Sequence, residues 1–216
     1  MTTIERTAEP AVRGGWRTPA ALYRLISSPA LRAVLGWDLP RHDVRVITRK
    51  PGAVCLEVGS GGGFYTRALK AHLGEGSTLI ALDPSARGTR SLEQDLRTLP
   101  GADTVCVTGD GCRLPLADDT ADTLFYGYSL EEMPDPIGAI REAHRVLAPG
   151  GELVLFLWRP VMNRHRRRPV IDLLETLFER DRSAVGPQNL RLVYRKPVEE
   201  ICAQDELHAC PLCTVS

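Results

Sequence analysis

No surplus of charge of either sign is present in this chain, because 27 lysines and arginines offset 27 aspartates and glutamates. A protein that grips nucleic acid by neutralising phosphates carries a cationic excess, so no nucleic-acid partner is expected and only a local basic patch stays open. Long apolar runs are missing too: none approaches the roughly 20 residues that span a bilayer, and the N-terminus shows no signal-type hydrophobic core. A cytoplasmic protein without stable membrane insertion is the expectation. The six cysteines form no disulfide framework; Cys55, Cys106 and Cys112 fall at expected core or loop positions and read as reduced thiols. Internal repeats are absent as well. What is there, 216 residues at 43% apolar and 25% charged, suits one α/β domain with an ample core.

The chain is organised around Val54 to Phe64, an apolar run that stops in four glycines within five positions. Ala53 to Val58 reads as a short buried parallel strand, bounded by Pro51-Gly52 and by glycine. Gly59, Gly61 and Gly63 then let the backbone turn sharply and leave an open floor for a ligand. Phe64, Ala68, Leu69 and Ala71 supply the stripe of the helix that follows, whose N-terminal amides face the same spot. The dinucleotide fingerprint G-x-G-x-x-G is not met: started at Gly59 it needs glycine where Phe64 stands, and started at Gly61 it meets Thr66. The pattern present is Glu57-x-Gly59-x-Gly61-x-Gly63.

Met1 to Gly15 shows no periodicity and reads as a flexible arm. Thr18-Pro19 and Ser28-Pro29 each place a capping hydroxyl before a proline at the first helical position, so two short helices are predicted there, with Trp16, Tyr23 and Trp37 packing on the body or covering a ligand. Val44 and Ile47 suggest one more helix. Ser77 to Asp83 is a second strand ending in a carboxylate placed about 20 positions past the glycine loop to accept from ribose hydroxyls. Thr104 to Val107 is the third strand, with Asp110 after it on the same edge. Thr123 to Tyr128 is the fourth. Helical spacing from Ile137 to Leu147 stops at Pro149-Gly150-Gly151, and Glu152 to Trp158 is the fifth strand. Strands alternating with helices predict a doubly wound, mostly parallel sheet.

Leu56 to Thr66 resembles the cofactor loop of the class I methyltransferases that use S-adenosylmethionine. Ala81-Leu82-Asp83-Pro84-Ser85 is similar to their ribose-binding strand end, Gly109-Asp110-Gly111 with Leu114-Pro115 to the adenine-side motif, and Arg145 to Leu153 to the helix-turn-strand signature of the small-molecule subgroup. The resemblance implies a Rossmann-like fold with S-adenosylmethionine as cofactor and Glu57, Gly59, Ser60, Gly61, Gly63, Asp83, Pro84, Asp110, Gly111 and Tyr128 around it. It divides the chain into the arm (1–15) and one domain (16–216), made of a helical lid (16–50), a cofactor core (51–158) and a C-terminal helix, strand and tail (159–216). It also implies seven strands, the last two antiparallel. Here the chain departs: after Trp158 only an amphipathic helix around Val170 to Phe178 and a strand at Leu190 to Tyr194 are legible. The C-terminal part reads as shortened, with the hairpin compressed into Asn189 to Ser216 or one strand missing.

The loop after strand four holds Glu131 and Glu132 where related methyltransferases present a polar residue to the acceptor. An ionised glutamate there could orient a cationic acceptor or take a proton, with Glu132 the nearer of the two; the competing reading is a helix cap at Pro136. Arg164 to Arg168 is a dense basic run, read as a solvated loop or as a contact for an anionic surface or substrate. Cys202, His208, Cys210 and Cys213 have the residue types of a zinc site, but only one pair has knuckle spacing, so no metal is expected. Three functions follow: methyl transfer to a small-molecule acceptor, a binding protein of the same fold that does not methylate, and a nucleotide-dependent oxidoreductase, which Phe64 disfavours.

Overall fold

In the computed structural model, residues 38–198 are described. The two helices expected near Pro19 and Pro29 and the Cys202 to Cys213 tail lie outside them. The first described element is a short helix α1 (Pro40–Asp43) that runs into a 3-10 turn at Val44–Val46. Then follow β1 (Val54–Val58), α2 (Thr66–Leu73), β2 (Thr78–Asp83), α3 (Ala86–Leu96), β3 (Asp103–Thr108) and β4 (Ala121–Gly127). A second 3-10 turn (Leu130–Glu132), α4 (Pro136–Val146), β5 (Leu147–Trp158), α5 (Arg164–Leu177), β6 (Glu179–Val185) and β7 (Asn189–Arg195) complete the order.

The seven strands form one sheet in the order β3-β2-β1-β4-β5-β7-β6. The first five run parallel, whereas β7 is antiparallel to both β5 and β6. Apolar runs without polar alternation produce this architecture because both faces of the inner strands are covered. Leu124 and Tyr126 of β4 and Leu153, Leu155 and Leu157 of β5 point to one face, where Ala139, Ile140, Val146, Val170 and Leu174 of α4 and α5 cover them. Phe125, Val154 and Phe156 point to the other, against Leu69 and Leu73 of α2 and Val44 and Ile47. Leu92 and Leu96 of α3 pack on Ala81. The order reverses at β1 and β4, so the ligand crevice of such a sheet opens above their carboxyl ends.

Four expectations need correction. The C-terminal hairpin is neither compressed into the last residues nor short of a strand: it runs from Glu179 to Arg195, and its first strand escaped notice because all seven side chains of β6 are exposed and show no alternation. The helix after the glycine loop begins at Thr66, two residues beyond Phe64. Pro149-Gly150-Gly151 is not a tight turn between helix and strand, since the helix ends at Val146. It lies inside β5, where the pairing with β4 slips between Ala121 and Thr123 and Gly150 takes φ +74°. The basic run forms the first turns of α5 and is not a loop.

Candidate functional site

Four strand ends, those of β1, β2, β3 and β4, converge on one edge of the sheet, and each delivers residues singled out by the sequence. After β1 the chain makes turns at Gly59 (φ +83°) and Gly63 (φ +79°), a left-handed backbone that L side chains rarely adopt. A Cβ on Gly59 would lie 2.3 Å from the Cβ of Ser129, and one on Gly63 would lie 2.3 Å from Leu92. Glycine is therefore dictated twice over, by backbone sign and by close approach. The loop is fastened from below, since the amides of Gly59 and Ser60 both donate to the Leu82 carbonyl. The Ser129 hydroxyl donates to the Val58 carbonyl, which locks the end of β4 against the end of β1.

Asp83 closes β2 at the level of this loop. Its Oδ2 accepts from the Gly61 amide at 2.8 Å and its Oδ1 from the Ser85 amide at 2.9 Å. The helix cap is supplied by Ser85, whose Oγ accepts from Gly88 at 3.1 Å, so Asp83 is not spent on capping. A carboxylate has about four acceptor positions, and two remain. Pro84 beside it is exposed. Asp110 follows β3, folds back to accept from the Cys112 amide at 2.9 Å, and bridges to Arg113. Gly111 is buried under Met133 and Val58.

Glu57, the acid of the glycine motif, is buried at 2% exposure. Its Oε2 accepts no hydrogen bond of full geometry, and the hydroxyls of Ser60 and Thr66 beside the loop are also buried without one. Burial pushes its pKa up to about 7, with the Thr66 hydroxyl pulling the other way and the Asp83 charge adding to the rise. Buried polar atoms short of partners are uncommon in folded proteins, and the Ser60 hydroxyl and one oxygen of Glu57 lie close together at this glycine loop.

Tyr128 stands at the end of β4 with φ +61°, a conformation costly for a bulky residue. It is held there because its amide donates to the Phe156 carbonyl at 2.9 Å and its hydroxyl donates to Asp38 Oδ1 at 2.7 Å. Burial and the neighbouring Asp38 raise its pKa, so the phenol stays protonated. Around it Phe64, Tyr65, Phe125 and Phe156 form an edge-to-face aromatic wall, with centroids 4.9 to 5.6 Å apart between successive rings. Arg191 of β7 reaches the same corner, 2.8 Å from Asp43 and stacked over Phe156.

The two glutamates of the following loop separate. Glu131 is buried, and its Oε1 accepts from the Trp158 amide at 2.9 Å, tying this loop to the end of β5. Glu132 is exposed on the rim. Asp135, in turn, caps α4 through the Gly138 amide at 2.8 Å. The structure thus brings the glycine loop, Asp83, Asp110 and Tyr128 to one edge, while Ser129, Asp38 and Arg191, which the sequence did not flag, frame its far side. Ser129 follows directly on the legible fourth strand. Asp38 and Arg191 carried no local signal.

A methyltransferase domain family matches residues 56–155. A curated relative, a demethylmenaquinone methyltransferase of Lysinibacillus sphaericus, is 32% identical over 122 residues, which is 56% of this chain and 50% of that protein. The chain spans about half the length of the curated relatives it matches. Among solved structures, an S-adenosylmethionine-dependent methyltransferase from Aquifex aeolicus superposes with a TM-score of 0.70 at 20% identity, covering 83% of this chain and 100% of that one. The [4+2]-cyclase SpnF superposes at 0.60 with 19% identity, over 86% of this chain and 100% of its own. These likenesses give the fold. The matched segment holds the glycine motif, the buried acid Glu57 and the strand-end Asp83, so the features singled out by the sequence fall inside the part of the chain that is similar to a methyltransferase domain.

Proposed function

We propose that this protein transfers the methyl group of S-adenosylmethionine to a small-molecule acceptor. The observation that carries this reading is the buried carboxylate of Glu57, with the Thr66 hydroxyl and the buried Ser60 hydroxyl beside it, beneath a glycine loop that Asp83 borders. When bound, the cofactor supplies a methyl group already made electrophilic by its sulfonium, so the protein's share is to position the acceptor and manage its proton. Glu57 offers a buried anionic oxygen to a cationic amine, and Asp83 offers its two remaining acceptor positions to paired hydroxyls. Asp110 stands ready on the neighbouring strand end for an amino group.

On the acceptor side, the half-buried rings of Phe64 and Tyr128, backed by the buried Tyr65, suit a flat, largely apolar molecule. The relatives' named acceptor, demethylmenaquinone, is the first compound to try. Glu132 is the candidate for taking a proton from a hydroxyl acceptor, since it lies on the rim, whereas Glu131 acts as a positioning residue through Trp158. Free thiols at Cys55, Cys106 and Cys112 agree with a cytoplasmic setting.

Calorimetry with S-adenosylhomocysteine tests the cofactor half. Asp83→Ala should weaken binding by tenfold or more, because charged hydrogen bonds contribute about 1.5–3 kcal/mol. Unchanged affinity would refute the assignment. Transfer of label from methyl-labelled cofactor to demethylmenaquinone or a short-chain analogue tests the chemistry, and there Glu132→Gln should lower kcat about tenfold with cofactor affinity intact. The second reading, a protein of this fold that does not methylate, is favoured by the cyclase that shares the fold. Tight cofactor binding with no transfer to any acceptor would select it.

A further inference from the structure

The first turns of α5 are built against their own helix dipole. Arg164, His165, Arg166, Arg167 and Arg168 crowd the N-terminal end, where cations are disfavoured, and that turn contains no acid. Within the helix the only partner is Asp172, 3.9 Å from Arg168, with both side chains largely exposed. Arg164, His165, Arg166 and Arg168 are exposed, and so are Arg159 and Pro160 in the connection before them. This connection is rigid: Met162 is buried at 2% exposure, its amide donates to the Trp158 carbonyl at 2.8 Å, and Asn163 caps the helix through the Arg166 amide.

A second feature sits beside the first. Arg159 donates to the carbonyls of Gly186 and Pro187, and its amide donates to Gln188, so the β6–β7 turn is bolted to the basic connection. That turn carries Val185, an apolar side chain 70% exposed, and Pro187, also exposed. Because β6 runs parallel to β5, Val185 ends at the same edge of the sheet as Trp158. Cations and apolar tips are thus interleaved on the rim that also bears the candidate site.

We propose that this rim, formed by the β5–α5 connection, the start of α5 and the β6–β7 turn, docks on the surface of a bilayer containing anionic lipid. Guanidinium groups on flexible stems sit among headgroup phosphates while short apolar side chains enter just beneath them. A nucleic-acid backbone would use the cations but not the apolar tips. Among the described residues the patch exposes a single ring, His165, and no Phe, Tyr or Trp is exposed there to make the stacking platform that single strands use. Docking in this orientation turns the mouth of the site toward the lipid, from which an apolar acceptor could be drawn. The proposal goes beyond the methyl-transfer reading, and vesicle binding does not require turnover.

Co-sedimentation of the full chain with phosphatidylcholine vesicles, with and without about one-third phosphatidylglycerol, tests it. Partition into the anionic vesicles should exceed that into neutral ones by about tenfold and fall when salt is raised from about 0.1 M to about 0.5 M. The triple variant Arg164→Gln, Arg166→Gln, Arg168→Gln should lose about tenfold while keeping wild-type affinity for S-adenosylhomocysteine, and Val185→Ser should lose about threefold. Equal partition onto both vesicle types, wild-type partition of the triple variant, or tighter binding of a single-stranded oligonucleotide at the same salt would each overturn it. Failure of the wild type to bind S-adenosylhomocysteine would instead overturn the cofactor assignment and leave the docking result standing.

Discussion

Glu57 is a carboxylate kept in a place where its charge is unwelcome. Its pKa of about 7 in the folded chain lies above the ordinary value of 4.5, so the native state holds a proton that the unfolded state releases. The sign follows from linkage: the contribution of Glu57 to stability is greatest below about pH 4.5, falls as pH rises toward 7, and stays reduced above that. Glu57→Gln should therefore raise the melting temperature of the ligand-free protein at pH 8, by an amount corresponding to about 3 kcal/mol, with little gain at pH 4.5. Thermal scans at the two pH values check this. The same substitution removes the anionic oxygen and should weaken cofactor binding, separating stability from function at one atom. A cationic ligand beside Glu57 should drive the proton off, so wild-type affinity should climb between pH 6 and pH 8, with buffer-dependent enthalpies reporting proton release.

Between elements, the contact that joins α1 to β7 is an ion pair under partial cover. Asp43 is buried and its pKa is raised by burial even with Arg191 beside it, while Asp38, also buried, lies 3.5 Å from the same guanidinium. Arg191→Met would strand two acids, and a loss of about 3 kcal/mol in urea unfolding is expected. Adding Asp43→Asn should recover part of that loss, because the amide oxygen can still accept from Leu39. This corner also shows what the sequence could not reveal. Asp38 and Arg191 are 153 positions apart, and Ser129 meets Val58 across 71, so neither contact leaves a local pattern. The strand-end residues Glu57, Asp83 and Asp110 were legible because each follows an apolar run that fixes both its depth and its edge. By contrast, β6 was hidden, because an exposed strand of Glu179-Arg180-Asp181-Arg182 resembles solvated loop in composition.

Across the whole molecule the sheet depends on its last strand. β7 lies between β5 and β6, its Leu190, Leu192, Val193 and Tyr194 are buried, and Lys196 just beyond it donates to His144, Leu147 and Asp119 at the end of α4. A chain cut after residue 188 should lose more than seven residues of strand. It uncovers one edge of β5 and leaves β6 without a neighbour, so cooperative thermal unfolding should disappear and aggregation rise relative to the full chain.

That placement has a consequence for how the protein is made. As the chain emerges from a ribosome, β5 is complete and apolar on both faces well before β7 exists, and the next strand to appear is β6. Were β6 apolar, it could pair with the waiting edge of β5 in the parallel sense already used across the sheet and trap the nascent domain in the wrong order. Its run of Glu179, Arg180, Asp181 and Arg182 cannot supply the buried Leu190, Leu192, Val193 and Tyr194 that β7 brings to that seat. The charged strand works as a placeholder that cannot be mis-seated, holding the vacancy open until the final strand is synthesised.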